Sequence, residues 1–251
     1  MKIATWNVNS IRVRIEPLLD FIKEHNIDII LLQEIKCRTE DFPAYIFDEL
    51  GYNCSIFGQK TYNGVAILSK YIIDDVKFGT EIFGGDIQAR YIEALINGYS
   101  FASIYVPNGQ FPESPAYQYK LDFLETLINY LKQTMANSKY ILAGDFNITM
   151  TDNDVYDPKL WKDKICCTDK ERNKLKDIIN LGYKDIIRLL NPDEQIYTWW
   201  DYRRDALLKN RGLRLDYFFT NPDVNVKNGY IAKQIREQHR PSDHAPVAIE
   251  I

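Results

Sequence analysis

The sequence predicts an α/β fold in which mixed β-sheet is covered by helices on its outer faces. Three observations lead there. Short apolar runs rich in β-branched and aromatic residues recur along the chain, a few segments carry helical periodicity, and several neighbouring strands are joined too briefly for a helical crossover. A doubly wound parallel sheet would need a helix between successive strands, so a mixed sheet fits better. No 20–50-residue repeat, low-complexity tract or Ser/Pro-rich linker divides the 251 residues, and one domain spanning 1–251 is expected.

Strands are expected near residues 2–7, 28–33, 53–58, 64–69, 91–96, 100–106, 139–145, 213–219 and 246–250. Between Tyr99 and Val106, Phe101, Ser103 and Tyr105 alternate with Ala102, Ile104 and Val106, the period of a pleated strand. The clearest helix follows Pro115, where Tyr117, Leu121, Leu124, Ile128, Leu131 and Met135 form one apolar stripe at spacings of three and four. A second runs from Pro17 to His25, with proline in its first turn and Asn26 at its end. Thr168-Asp169-Lys170-Glu171 has capping-box spacing and starts a third, which Gly182 closes.

Composition narrows the function classes. At 45% hydrophobic and 26% charged the chain has an ordinary globular balance. No apolar run approaches the roughly 18–20 residues that span a membrane. The longest, Ile27 to Leu32, is interrupted by Asp28. Lys2 to Asn7 already reads as a strand, so the fold is expected to begin at Met1 without an N-terminal address. Cys37, Cys54, Cys166 and Cys167 are too few for a disulfide framework and match no zinc spacing. Reduced thiols and a cytoplasmic location follow as expectations. The net charge of −4 excludes coating of nucleic acid by global charge, but not a local basic face.

The informative residues sit at the strand ends. Trp6-Asn7-Val8-Asn9, Leu32-Gln33-Glu34, Tyr105-Val106-Pro107-Asn108 and Gly144-Asp145-Phe146-Asn147 each follow an apolar run with an acid, amide or hydroxyl. Asp216 stands between Leu215 and Tyr217-Phe218-Phe219, and Ser242-Asp243-His244 precedes the last strand. Singly, most of these read as turn residues or solvated loop charges. Asp216 is the exception, because an acid inside an apolar strand is costly to bury without a partner, and a histidine would serve. Together they supply carboxylates, amides, a phenol and an imidazole. That is the set which metal-assisted phosphodiester hydrolysis needs: oxygen ligands for Mg²⁺, a base for water and donors for the transition state.

At these residues the sequence resembles the exonuclease III / abasic-site endonuclease family, within the endonuclease–exonuclease–phosphatase superfold that includes pancreatic deoxyribonuclease. Beyond those segments the resemblance extends in order through Leu-Gln-Glu-Ile-Lys at 32–36, Tyr-Thr-Trp-Trp-Asp-Tyr-Arg at 197–203, Asn-Arg-Gly-Leu-Arg-Leu-Asp at 210–216 and Ser-Asp-His-Ala-Pro-Val at 242–247. It implies a four-layered α/β sandwich, two packed mixed sheets flanked by helices, with the site in a cleft at one end. It further implies that Glu34, Asn7 and Asp243 serve the metal, Mg²⁺ with Mn²⁺ as substitute. Asp145 would activate the attacking water with Asn147 orienting it, His244 with Asp216 would contact the scissile phosphate, and Tyr105 would bond the phosphate or leaving oxygen. Ser10 stands where relatives often have Gly, and Asn9 where some have Asp, so the choice between one metal and two stays open.

The superfold also acts on small phosphates, so the catalytic set alone does not name the substrate. The segment from Asp201 to Arg214 carries Arg203, Arg204, Lys209, Arg211 and Arg214 against Asp201 and Asp205, an excess of three positive charges. Beside a phosphodiesterase site this reads as phosphate contact. Trp199 and Trp200 offer apolar surface for an unstacked sugar. The resemblance places Trp199, Leu213 and Leu215 around an extrahelical abasic deoxyribose, and Lys36, Arg90 and Lys120 on the DNA backbone; Arg203 and Arg211 of the basic segment, and Asn108, are expected to contact the DNA as well. The expectation is a monomeric DNA-repair nuclease that cuts double-stranded DNA 5′ to abasic sites and trims 3′ ends, with no membrane partner. A phosphatase or phosphodiesterase for a soluble or lipid phosphate and a non-catalytic DNA-binding module stay open as alternatives.

Overall fold

The computed structural model describes residues 1–134 and 139–251; Met135, expected on a helical stripe, lies outside them. In chain order the elements are β1 (Lys2–Asn7), α1 (Ile11–His25), β2 (Ile29–Gln33), α2 (Ala44–Asp48), β3 (Asn53–Phe57), β4 (Val65–Ser69), β5 (Asp74–Phe78), α3 (Gly79–Ile82), β6 (Tyr91–Ile96) and β7 (Tyr99–Tyr105). They continue with α4 (Pro115–Thr134), β8 (Lys139–Asp145), α5 (Pro158–Trp161), α6 (Asp169–Asn180), β9 (Lys184–Asp185), α7 (Ile186–Leu190), β10 (Asp216–Thr220), β11 (Asn228–Ile231) and β12 (Val247–Glu250). Two six-stranded mixed sheets result, ordered β11-β12-β1-β2-β4-β3 and β5-β6-β7-β8-β10-β9, and helices flank them as expected.

The two sheets share one plan. Each has a single parallel pair at its centre, β1 with β2 and β7 with β8, and antiparallel pairs on either side. A parallel pair needs a long crossover, and α1 and α4 are those crossovers. They are the helices with the strongest signals in the sequence, because each must bury one face on its sheet. Leu18 and Phe21 of α1 cluster with Trp6 and Leu32, and Leu124 and Leu127 of α4 with Ile104 and Leu142.

Alternate residues of the same strands face the opposite sheet. Ile3, Ile29, Phe101 and Ile141 pack there in one apolar cluster. One step along, Thr5 and Ser103 are bonded by the buried Gln33, whose amide nitrogen lies 3.0 and 2.9 Å from their hydroxyls. At the strand ends the inward positions are Asn7, Tyr105 and Asp145. The interior thus turns from apolar to polar along the parallel strands, and opens into the cleft at their carboxyl ends.

Three strands escape the sequence reading: β5, β9 and β11. All are short, and β5 and β9 close the edges of one sheet while β11 closes an edge of the other. Residues 213–215, expected as strand, precede β10 and pair instead through isolated bridges of Leu213 to Val155 and Trp199. α1 begins at Ile11 rather than Pro17, with a break at Arg14 (φ −115°, ψ 17°) that leaves Pro17 in the first turn of the following segment. α6 starts as expected, with Thr168 and Glu171 forming a capping box.

Candidate active site

The turns that leave the parallel strands hold unusual backbone. Asn9 (φ 44°), Glu34 (φ 49°), Lys36 (φ 52°) and Asn147 (φ 51°) are left-handed. Asn tolerates that region; Glu and Lys do so only where the surroundings hold them. Ser10 donates its N–H to the Glu34 carbonyl at 2.8 Å, and the N–H groups of Ile35 and Lys36 bond Gly64 and Asn63 at 3.1 and 3.0 Å. Gly64 is required there: its φ is +88°, and a Cβ would fall 2.4 Å from Ile35 Cγ1.

The side chains these turns present form a connected ring. Asn7 donates from Nδ2 to Glu34 Oε1 at 2.8 Å and to Asp145 Oδ2 at 2.9 Å. The Asn147 N–H donates to Asp145 Oδ1 at 2.8 Å, and Asn108 Nδ2 to Asn147 Oδ1 at 3.1 Å. His244 has Nδ1 2.8 Å from Asp216 Oδ2 and Nε2 3.6 Å from Asp145 Oδ2. On the other side Lys36 Nζ meets Glu34 Oε2 at 2.8 Å and Asn9 Oδ1 at 2.5 Å, and Asn9 Nδ2 reaches Asp243 Oδ1 at 2.9 Å. Trp199 Nε1 holds the second Asp243 oxygen at 2.9 Å.

This environment sets protonation. Burial pushes the Asp145 carboxyl up to about 7; His244 opposes that shift, while Asp216 and Glu34 add to it. Burial would lower His244, but Asp216 and Asp145 outweigh it and raise the imidazole to about 10. His244 is therefore an imidazolium at neutral pH. Tyr105 is kept a protonated donor, first by burial and then by Glu34 and Asp145. Asp243 stays ionised: burial would raise it, but His244, Trp199 and Asn9 lower it below the usual range.

The donor set suits a hard divalent cation. Glu34, Asp145, Asp216 and Asp243 face the cations His244 and Lys36, and the buried Asp216 Oδ1 has no hydrogen-bond partner among the described residues. Asn7 and Glu34 are in direct contact, whereas Asp243 reaches them only through Asn9 and Lys36. A second cluster, Asp145, Asp216 and His244, has ligand atoms within 4.8 Å of one another. There Nδ1 of His244 is already committed to Asp216 at 2.8 Å.

A cleft of about 440 Å³ lies over the ring, lined by Glu34, Tyr105, Asn108, Asp145, Asn147, Asp243 and His244, with Trp199, Leu213, Leu215 and Arg203 on its wall. Trp161, Ile165 and Cys166 also line it and went unnoticed in the sequence. Their one signal is the short α5, where Asp157 caps a turn that begins with proline. Arg211 lies in an adjoining cavity with Lys164 and Arg204, and Arg90 in another, 5.0 Å over the Tyr105 ring.

Three expectations about contact residues are corrected. Lys120 is fully buried against Glu171 and cannot reach DNA. Arg214 is also buried, bonded to Asp154 at 2.6 Å and Asp185 at 2.7 Å, and leaves the basic segment with a smaller excess. Trp200 is in the core, so of the two tryptophans only Trp199 faces the cleft.

The sequence pattern of the endonuclease/exonuclease/phosphatase family matches residues 4–244. The chain belongs to this family. Within it, an exodeoxyribonuclease III of Haemophilus influenzae is 34% identical over 100% of this chain and 99% of its own length. Among solved structures of the family, a 3′ phosphatase, NExo, from Neisseria, bound to a product DNA hairpin, is 38% identical, superposes with a TM-score of 0.97, and is matched over 100% of this chain and 99% of its own. An AP endonuclease from Archaeoglobus fulgidus gives 36% identity and a TM-score of 0.96 over 100% and 99% of the two chains. The family and fold expected from the collinear motifs are thus borne out. Among the described residues, no helix is long and apolar enough to cross a membrane.

Proposed function

We propose that this chain is a metal-dependent DNA-repair nuclease that hydrolyses phosphodiesters 5′ to abasic sites and trims 3′ ends. The observation that carries the reading is the chain of contacts Glu34–Asn7–Asp145–His244 at the carboxyl ends of the two parallel strand pairs. It joins a hard-oxygen ligand, a base and an acid in one cleft. The full-length similarity to an exodeoxyribonuclease and to a 3′ phosphatase bound to DNA favours a polynucleotide over a small or lipid phosphate.

Asp145, buried and with its carboxyl raised, suits a base that works near neutral pH, and takes the proton of the attacking water. Asn147 commits its amide to Asp145 at 3.3 Å and to the Val106 carbonyl at 3.0 Å, so it holds the base in place. The His244 imidazolium, oriented by Asp216, donates to a phosphate oxygen, and the Tyr105 hydroxyl donates to the phosphate or leaving oxygen. Asn7 and Glu34, supported by Asp243, would hold Mg²⁺ or Mn²⁺, which supplies charge neutralisation at the phosphate when bound. Trp199, Leu213 and Leu215 form the apolar wall for a bare deoxyribose. Arg203, Arg211, Arg90 and Asn108, with Lys36 once released from Glu34, take the flanking phosphates. The acting unit in this reading is a monomer of one domain in the cytosol, in keeping with four free cysteines. A labelled duplex with one abasic analogue, incubated with Mg²⁺, Mn²⁺ or EDTA beside an inositol phosphate, tests it. Metal-dependent cleavage of the duplex is expected, and turnover of the inositol phosphate alone would overturn it.

A further inference from the structure

Lys120 lies on the apolar stripe of α4, between Tyr117 and Leu124, where a core residue belongs. Its side chain and that of Glu171 are both 0% exposed. The ammonium has three protons and meets three acceptors: Glu171 Oε1 at 2.5 Å, the Asn147 carbonyl at 2.7 Å and the Asn108 carbonyl at 3.1 Å. Both carbonyls belong to turns whose side chains reach the ring. Asn147 is left-handed there and donates its N–H to Asp145, and Asn108 donates its amide to Asn147. Glu171 closes the α6 capping box and accepts from the N–H of Cys166, which lines the cleft, at 3.1 Å.

Stability alone gives little reason for this pair. A buried ion pair loses so much hydration that a well-packed apolar pair is often as stable or more so. What an apolar pair lacks is a cation that ties two loop carbonyls and a helix start to one point. We infer that Lys120 and Glu171 are positioning residues for the hydrolytic step, fixing the Asn147 turn and through it the Asp145 carboxylate. This rests on the reading of Asp145 as the base.

The test compares Lys120→Met, Glu171→Gln, Asp145→Asn and Leu131→Ala, the last a core change on the same helix. Each is measured for kcat and KM on an abasic duplex with Mg²⁺, for DNA affinity in EDTA at several salt concentrations, and for thermal unfolding. Lys120→Met is expected to lower kcat by about 100-fold, the effect of a misplacement near 1 Å, with KM, DNA affinity and salt slope unchanged. Glu171→Gln keeps an acceptor and should lose less, and Leu131→Ala should lose stability but keep kcat. A salt slope shallower by about 0.9 in Lys120→Met would make Lys120 a phosphate contact and overturn the inference. So would a folded Lys120→Met protein with kcat within about threefold of wild type, well short of that misplacement effect. If Lys120→Met does not fold, Glu171→Gln decides, and wild-type kcat there overturns it. Should Asp145→Asn keep its rate, the reading of the base has failed instead, and the two failures stay distinct.

Discussion

Asp216 holds the His244 ring by Nδ1 at 2.8 Å and so turns Nε2 toward Asp145. The neighbouring acids raise His244 to about 10 against the lowering effect of its burial. The donor form is therefore present through neutral pH and is lost as pH rises through that value. Asp216→Asn removes the nearest charge, so the alkaline limb of the kcat profile should move to lower pH, and the rate at pH 8 should fall about tenfold for each unit by which the imidazole drops below that pH. A mutant with the wild-type alkaline limb would show that Asp216 does not set the imidazole.

Glu34 carries the metal prediction. Glu34→Ala should raise the Mg²⁺ needed for half-maximal cleavage and lower the maximal rate. It also frees Lys36, now bonded to Glu34 at 2.8 Å. Affinity for DNA in EDTA should stay level or rise, since one negative charge near phosphate is gone. Titration of Mg²⁺ in cleavage and binding assays checks both, and an unchanged Mg²⁺ dependence contradicts the ligand role.

Trp199 has two roles that substitutions separate. It walls the cleft and also bonds Asp243 at 2.9 Å through Nε1. Trp199→Phe keeps the wall and loses the bond, so it should weaken the metal response while keeping preference for abasic over intact duplex. Trp199→Ala should erode that preference as well, because size no longer excludes a base. Full discrimination by Trp199→Ala, measured as the ratio of kcat/KM values, would place the pocket elsewhere.

Asp154 anchors Arg214 in the segment that leads into β10 and Asp216. Burial alone would raise its carboxyl, but Arg214 and Arg188 hold it below the usual carboxylate range. A depressed folded pKa contributes stability above the unfolded value of about 3.9, and that contribution fades as pH falls through the folded one. Asp154→Asn leaves Arg214 buried beside Asp185 alone and should cost about 3–5 kcal/mol at neutral pH. The gap to wild type should narrow in acid. Denaturant unfolding at pH 7 and near pH 3 reads both, and a gap independent of pH contradicts the assignment.

The sequence made the parallel strands legible, because their runs are buried on both faces and end in polar residues that no core would take. Asn7, Glu34, Tyr105 and Asp145 stood out for that reason. The edge strands β5, β9 and β11 did not, since short and partly exposed segments lack both signals. Lys120 and Arg214 read as DNA contacts because the acids that bury them, Glu171 and Asp154, lie 51 and 60 residues away. Trp161, at the end of α5, and Ile165 and Cys166, in the segment after it, reach the cleft by tertiary placement that no local pattern announces.

Asp145→Asn removes the basic oxygen on which the hydrolytic step depends. Asparagine keeps the size and one acceptor oxygen, which can hold either the Asn7 amide or the Asn147 N–H, so the fold and the binding of an abasic duplex should survive. Single-turnover cleavage with saturating Mg²⁺ should fall by at least about 10²–10⁴. Cleavage near the wild-type rate, with binding intact, would mean that Asp145 is a turn residue and that the water is activated elsewhere.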